Sequence, residues 1–264
     1  LWQIIQMNVG FLGLQFSFGL QQANMSPIWG YLGAEEANFA WLGIAGPLTG
    51  LIIQPIIGSM SDRTSSRWGR RTPYFLIGAV MCCLGLFFMP LSASILMAFS
   101  LLFLLDVGNN VTMEPYRAYV NDRLDGEQRG FGFLSQSAFT GLAQCLAYLS
   151  PTIPVLLSGL SRDATAGGGI PTFTLVSFWI GAALSIGTIL WSILRVPELP
   201  LTAAEKSRID ALPKTASATF REIWDALRDM PNAMRAMAVM SLFQWYAMSG
   251  YWGYVTNSIS RSVY

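Results

Sequence analysis

Long apolar runs alternate with short polar breaks along this chain. A bilayer-crossing helix needs about 20 predominantly apolar residues. Runs of that order fall near residues 3–31, 38–60, 73–93, 95–120, 130–158, 171–195 and 232–257. Seven spans joined mostly by short loops predict an all-α membrane protein built as a helical bundle. One longer polar segment, 196–231, separates the sixth span from the seventh. Within it, PELPLTAAEKSRIDALPKTASATF predicts a linker. FREIWDALRDM predicts an amphipathic helix with Phe220, Ile223, Trp224 and Leu227 on one face. The sequence stops at Tyr264, directly after an aromatic apolar stretch, and the expectation is a longer protein of which this is a part.

Polar residues inside the apolar runs carry the functional information. The fourth span contains Asp106, Asn109, Asn110, Glu114 and Arg117, and a charge at the centre of a spanning helix costs roughly 2.5–3.5 kcal/mol. At about 100° per residue, Arg117 lies about 20° from Asp106 around the helix, Asn110 about 40° and Glu114 about 80°. The stripe is either a buried polar seam or the wall of a water-accessible pathway, and the second reading is preferred. Asp106 and Arg117 are about 16 Å apart along the axis, too far for an ion pair, so Glu114 and water are the expected partners of Arg117. Pro115 removes a backbone hydrogen bond beside Glu114.

In the first span, Asn8, Gln15 and Gln22 recur every seven residues. Such amides either bond neighbouring helices or line a path for a polyhydroxylated solute, since amides both donate and accept. The fifth span carries Gln136 among small residues that suit close packing. The seventh offers Gln244 and Trp245, deeper in the span than the aromatic run Tyr251 to Tyr254, where a flat ring presents an apolar face for stacking.

Composition narrows the classes. The 264 residues are 53% hydrophobic and 12% charged, about half the charged fraction of a soluble domain, and mean hydropathy is +0.44. A net charge of +1 gives no reason to expect nucleic acid. With no histidine, proton chemistry falls to carboxylates. The three cysteines have no metal-ligand spacing, no nucleophile–base constellation is present, and neither an enzyme nor a cofactor is expected. Lys and Arg concentrate after the second, fourth and sixth spans, which the positive-inside rule places in the cytoplasm of a multi-pass cell-membrane protein.

The second span ends in GSMSDRTSSRWGRR, Gly58 to Arg71. Asp62 beside Arg63, with Arg70 and Arg71 after Gly69, predicts a hydrogen-bonded clasp between helix ends. This segment resembles the loop between helices two and three of the major facilitator superfamily. Its five-residue spacer is similar to the variant in the sucrose-transporter branch, related to the glycoside–pentoside–hexuronide symporters. WLGIAGPLTGLIIQPIIGSMSDR, Trp41 to Arg63, is similar to that branch throughout. LDVGNN followed by EPYRA resembles the Leu-Asp-Val-Ala-Asn-Asn…Gly-Pro-x-Arg-Ala pattern of sucrose transporters, with the Asp-to-Arg spacing kept. Glu114 stands where plant members have a small residue, and the external histidine of many plant members is absent.

The resemblance implies a facilitator-type bundle: residues 1–195 as the N-terminal six-helix half, 196–231 as a cytoplasmic linker, and 232–264 as the first helix of the C-terminal half. It implies proton-coupled import of a sugar, a disaccharide or α-glucoside of the sucrose or maltose type, by a monomer in the lipid bilayer. Asp106 is the first choice for the proton-coupling carboxylate and Glu114 the second. Asn8, Gln15, Gln22, Asn109, Asn110, Arg117, Gln136, Gln244 and Trp245 are the candidate substrate residues. Gly58, Asp62, Arg63, Arg67, Gly69, Arg70 and Arg71 form the candidate cytoplasmic gating motif. The alternative is a proton-driven exporter of drugs or other small amphiphiles on the same fold, whose cavity should be more aromatic and apolar than the amide-rich first span.

Overall fold

A computed structural model describes residues 1–158, 165, 169–211 and 215–263. Residues 159–164 and 166–168, between the fifth and sixth expected spans, and 212–214, in the expected linker, lie outside the described residues. The elements in order are α1 (Trp2–Tyr31), α2 (Phe39–Leu42), α3 (Ala45–Asp62), α4 (Thr72–Phe88), α5 (Ile95–Arg123), α6 (Gly126–Leu149), α7 (Thr152–Ser158), α8 (Thr172–Arg195), α9 (Ala203–Ala211), α10 (Ala216–Arg228) and α11 (Asn232–Val263). Three of them, Thr72–Leu91 (α4 with its 3-10 extension), Ile95–Arg123 and Thr172–Arg195, meet the length and hydropathy of a membrane span.

Local chemistry sets the ends. Pro73 sits in the first turn of α4, where its missing N–H costs nothing. Ser94 caps α5 by accepting the Met97 N–H at 3.2 Å. The expected span 130–158 is two helices with the break at Pro151, whose ring crowds the Ala147 carbonyl and whose missing N–H removes a helical hydrogen bond. The chain closes instead through Ser150, whose N–H and hydroxyl both donate to the Ala147 carbonyl at 3.2 and 2.7 Å. The expected span 38–60 likewise divides into α2 and α3. The linker sequence is more ordered than its composition suggests. Thr202 and Glu205 cap α9 reciprocally, the Thr202 N–H and hydroxyl donating to the Glu205 carboxylate at 2.9 and 2.7 Å and the Glu205 N–H returning at 3.3 Å. These bonds hold the Glu205 carboxyl below its usual range.

α1 is the central helix, packed against α5, α6, α8 and α11, while α4 packs on α5 and α8, and α3 on α5. Close approach depends on small residues. A Cβ on Gly78 would lie 2.0 Å from Thr112 Oγ1 and 2.6 Å from the Gly108 carbonyl, both on α5. Gly78→Ala is expected to push α4 and α5 apart and cost about 1–3 kcal/mol. A lower unfolding temperature in detergent would show this; an unchanged midpoint would contradict the packing.

The apolar core is in two clusters. One gathers Leu20, Trp29, Leu86, Leu105 and Phe178. The other gathers Met7, Phe11, Phe75, Tyr116 and Tyr119. On α5 the boundary between them falls between Leu105 and Met113, and that stretch is where the polar side chains enter.

Candidate functional site

Asp106 lies in the first half of α5 and is 1% exposed. Its Oδ1 accepts a hydrogen bond from Gln21 Nε2 of α1 at 2.6 Å. Its Oδ2 has no hydrogen-bond partner among the described residues and lies 3.7 Å from where a Cβ of Gly46, on α3, would stand. One turn along, Asn110 donates to the Asp106 carbonyl at 2.8 Å and to Thr49 Oγ1 at 3.2 Å. Its own Oδ1 accepts from Gln54 Nε2 at 2.6 Å. On the adjoining face, Asn109 Oδ1 accepts from the Ser17 hydroxyl at 3.0 Å and from the Cys82 thiol at 3.1 Å. Four helices thus meet at one polar belt: α1 supplies Ser17 and Gln21, α3 Thr49 and Gln54, α4 Cys82, and α5 Asp106, Asn109 and Asn110.

The belt has unused capacity: Gln21 Oε1 and Asn109 Nδ2 are buried without a partner among the described residues, as are Gln22 Oε1 of α1 and Gln136 Nε2 of α6. A buried polar atom left in that condition carries a desolvation cost of about 1–3 kcal/mol, so each of these atoms favours a hydrogen-bonding solute.

The remaining candidates are distributed. Asn8 is fully buried and donates to the Ile4 and Gly132 carbonyls and to Ser135 Oγ at 3.0, 3.2 and 2.7 Å, which joins α1 to α6. Gln15 is buried. Arg117 is not brought to Asp106: its Nη1 pairs with Glu114 Oε1 at 3.1 Å, with the two side chains 51% and 27% exposed. Gln244 and Trp245 are exposed on α11.

Sequence reading missed Gln21, Gln54, Thr49 and Ser17. The signal for α1 was present, because Ser17, Gln21 and Asn24 recur at i, i+4 and i+7 as a second polar stripe beside the heptad of amides. The antiparallel approach of α1 to α5 then matches Ser17 with Asn109 and Gln21 with Asp106.

A second constellation lies about 24 Å further along α5, at Asp122. Arg71, 2% exposed, donates from Nη2 to Asp62 Oδ1 at 2.6 Å, from Nε to Asp122 Oδ2 at 3.0 Å, and from Nη1 to Ser61 Oγ. Arg70 Nη2 lies 3.4 Å from Asp62 and 3.5 Å from Asp122. Glu198, just past α8, caps α4: its carboxylate accepts the Arg70, Arg71 and Thr72 N–H groups at 2.5, 2.7 and 2.5 Å and the Thr72 hydroxyl at 2.9 Å. Gly69 makes room for it, with φ +108° and a Cβ position 2.6 Å from Glu198 Oε2. Arg63 pairs with Glu222 of α10. Arg67 instead stacks over Trp68, 5.2 Å from the ring centroid, and Gly58 contributes only its carbonyl, to Ser61 Oγ at 3.0 Å.

Comparison with known proteins agrees with this architecture. The chain is 26% identical to sucrose transport protein SUC4 of Arabidopsis thaliana over 273 residues, which cover 96% of this chain and 53% of that protein. It is 24% identical to the general alpha-glucoside permease of Schizosaccharomyces pombe, covering 97% and 48%. The chain therefore spans about half the length of the curated relatives it matches. Its fold is similar to the crystal structure of a bacterial homolog of the human lysosomal transporter Spinster, with a TM-score of 0.60 at 16% identity, over 78% of this chain and 46% of that one. A family model described as MFS/sugar transport protein matches residues 29–256. That match covers most of the sequence, and the chain belongs to the MFS/sugar transport protein family.

Proposed function

We propose that this chain forms the first part of a secondary transporter that imports a disaccharide or α-glucoside with protons, and that Asp106 is the coupling carboxylate. The observation that carries the reading is Asp106 itself, buried in the bundle with one oxygen on Gln21 and the other unpartnered. A buried carboxylate must be paired, hydrogen-bonded or neutralised. A proton satisfies it in one way and a sugar hydroxyl in another, so the two ligands act on the same atoms. The unpartnered amides Gln21, Gln22, Asn109 and Gln136 offer both donors and acceptors to further hydroxyls. The names of the relatives, sucrose transport protein and alpha-glucoside permease, support that substrate class.

In this reading the Glu114–Arg117 pair stands beside the path as the second carboxylate and its counter-ion. Gln244 and Trp245 approach from α11, and Asn8 holds α1 to α6 rather than touching sugar. The clasp of Asp62, Arg70, Arg71, Asp122 and Glu198 lies at the cytoplasmic end and gates the path by tying together the ends of α3, α4, α5 and α8. The loops after spans two, four and six face the cytoplasm of a cell-membrane protein. The test is uptake of labelled sucrose and maltose into proteoliposomes holding the full-length protein, with the outside made acidic. Accumulation above the external concentration is expected, and its collapse on adding a protonophore. Uptake indifferent to the pH gradient would overturn proton coupling, and transport of neither sugar would overturn the substrate class.

A further inference from the structure

Helix α10 presents an apolar face that the bundle does not cover. Phe220, Trp224 and Leu227, spaced i, i+4 and i+7, are 59%, 68% and 54% exposed. On a wheel of about 100° per residue they lie within about 60° of one another. Arg221 and Arg228 flank that sector on one edge, and Asp225 and Asp229 lie farther round the same edge. The helix is not free to turn. Glu222 pairs with Arg63 at the end of α3 and accepts from Ser59 Oγ at 3.0 Å. Phe220 opens onto a groove of about 390 Å³ that it shares with Ile56 and Met60 of α3. The apolar surface of α10 therefore continues the apolar surface of a bundle helix, at the level where that helix ends.

We infer that α10 is a membrane-surface anchor whose apolar face enters the headgroup region of the cytoplasmic leaflet and whose arginines select anionic phospholipid. Two observations single out lipid as the occupant. The groove is shared with Ile56 and Met60 of α3, so an acyl chain lying along that bundle helix would have access to it. The charges are also sorted as a surface helix needs, with Arg221 and Arg228 beside the apolar sector and the acids away from it.

The experiment uses full-length protein in vesicles, on a background with no other accessible cysteine. A nitroxide is attached to Trp224→Cys, Leu227→Cys or, on the polar side beyond the arginines, Asp225→Cys. Collision with oxygen, which partitions into lipid, is compared with collision with a water-soluble nickel chelate. At positions 224 and 227 the expected result is access to oxygen with loss of access to the chelate, and the reverse at 225. The contrast should be larger in phosphatidylcholine vesicles containing phosphatidylglycerol than in phosphatidylcholine alone. It should fall to the phosphatidylcholine level in the double variant Arg221→Gln, Arg228→Gln. Labels at 224 and 227 as open to the chelate as the one at 225 would overturn the anchor. So would labels closed to both reagents, which would mean that protein covers the face. Equal contrast in both lipids would overturn the selection by arginine.

Discussion

Asp106→Asn is expected to abolish uphill sugar accumulation while leaving binding and downhill exchange in place. The substitution keeps the shape of the side chain and an oxygen that can still accept from Gln21 Nε2, at the position where the carboxylate does so at 2.6 Å. What it removes is the ability to take up and release a proton. One pH unit across the membrane is worth about 1.4 kcal/mol per proton, which at one proton per sugar concentrates the sugar about tenfold. The variant should therefore bring the ratio of inside to outside sugar from about tenfold to unity under a one-unit gradient, with counterflow of labelled sugar retained. Steady-state uptake in proteoliposomes measures the first and exchange the second. Sustained tenfold accumulation by the variant would move coupling to Glu114.

The second large effect is expected at Glu198. Its carboxylate accepts from three consecutive N–H groups and one hydroxyl at the start of α4, where the helix dipole also favours a negative charge. Glu198→Gln removes the charge and turns an acceptor into an NH₂ that faces N–H donors. Hydrogen bonds to charged groups are worth about 1.5–3 kcal/mol each, and partial rearrangement leaves an expected loss of about 2–3 kcal/mol. Thermal unfolding should occur at a lower temperature, and transport should slow with little change in sugar affinity, because this group sits far from Asp106. An affinity loss as large as that of a belt variant would place Glu198 in the binding path instead.

Much of this architecture is legible in the hydrophobic pattern, because a bilayer-scale run of apolar residues has few alternatives to a helix. Asp106 was also legible, since a carboxylate in such a run must have a reason to be there. Its partners were less so. Gln21 and Gln54 are exchanged between helices 85 and 56 residues apart in sequence, and no periodicity within one helix reveals which neighbour it meets. The heptad of amides on α1 drew attention to Asn8, whose bonds hold α6, while the shorter stripe of Ser17 and Gln21 reaches the belt. Glu198 was hidden for a different reason. A lone acid between two prolines reads as part of a linker until the positive φ of Gly69 brings the backbone of the α4 start against it.

The two arginine contacts at the basic end each pair a shielded guanidinium with a carboxylate that water reaches. Arg71 is 3% exposed in its side chain and its partner Asp62 61%, while Arg63 is 11% exposed and its partner Glu222 58%. Counter-ions screen pairs that water can reach, over a length of about 8 Å at physiological ionic strength and about 3 Å at 1 M, and screen buried pairs much less. Added salt thus weakens the Arg63–Glu222 link and the Arg71–Asp62 link together. Ionic strength becomes a dial that acts at once on the attachment of α10 and on the ties between the helix ends.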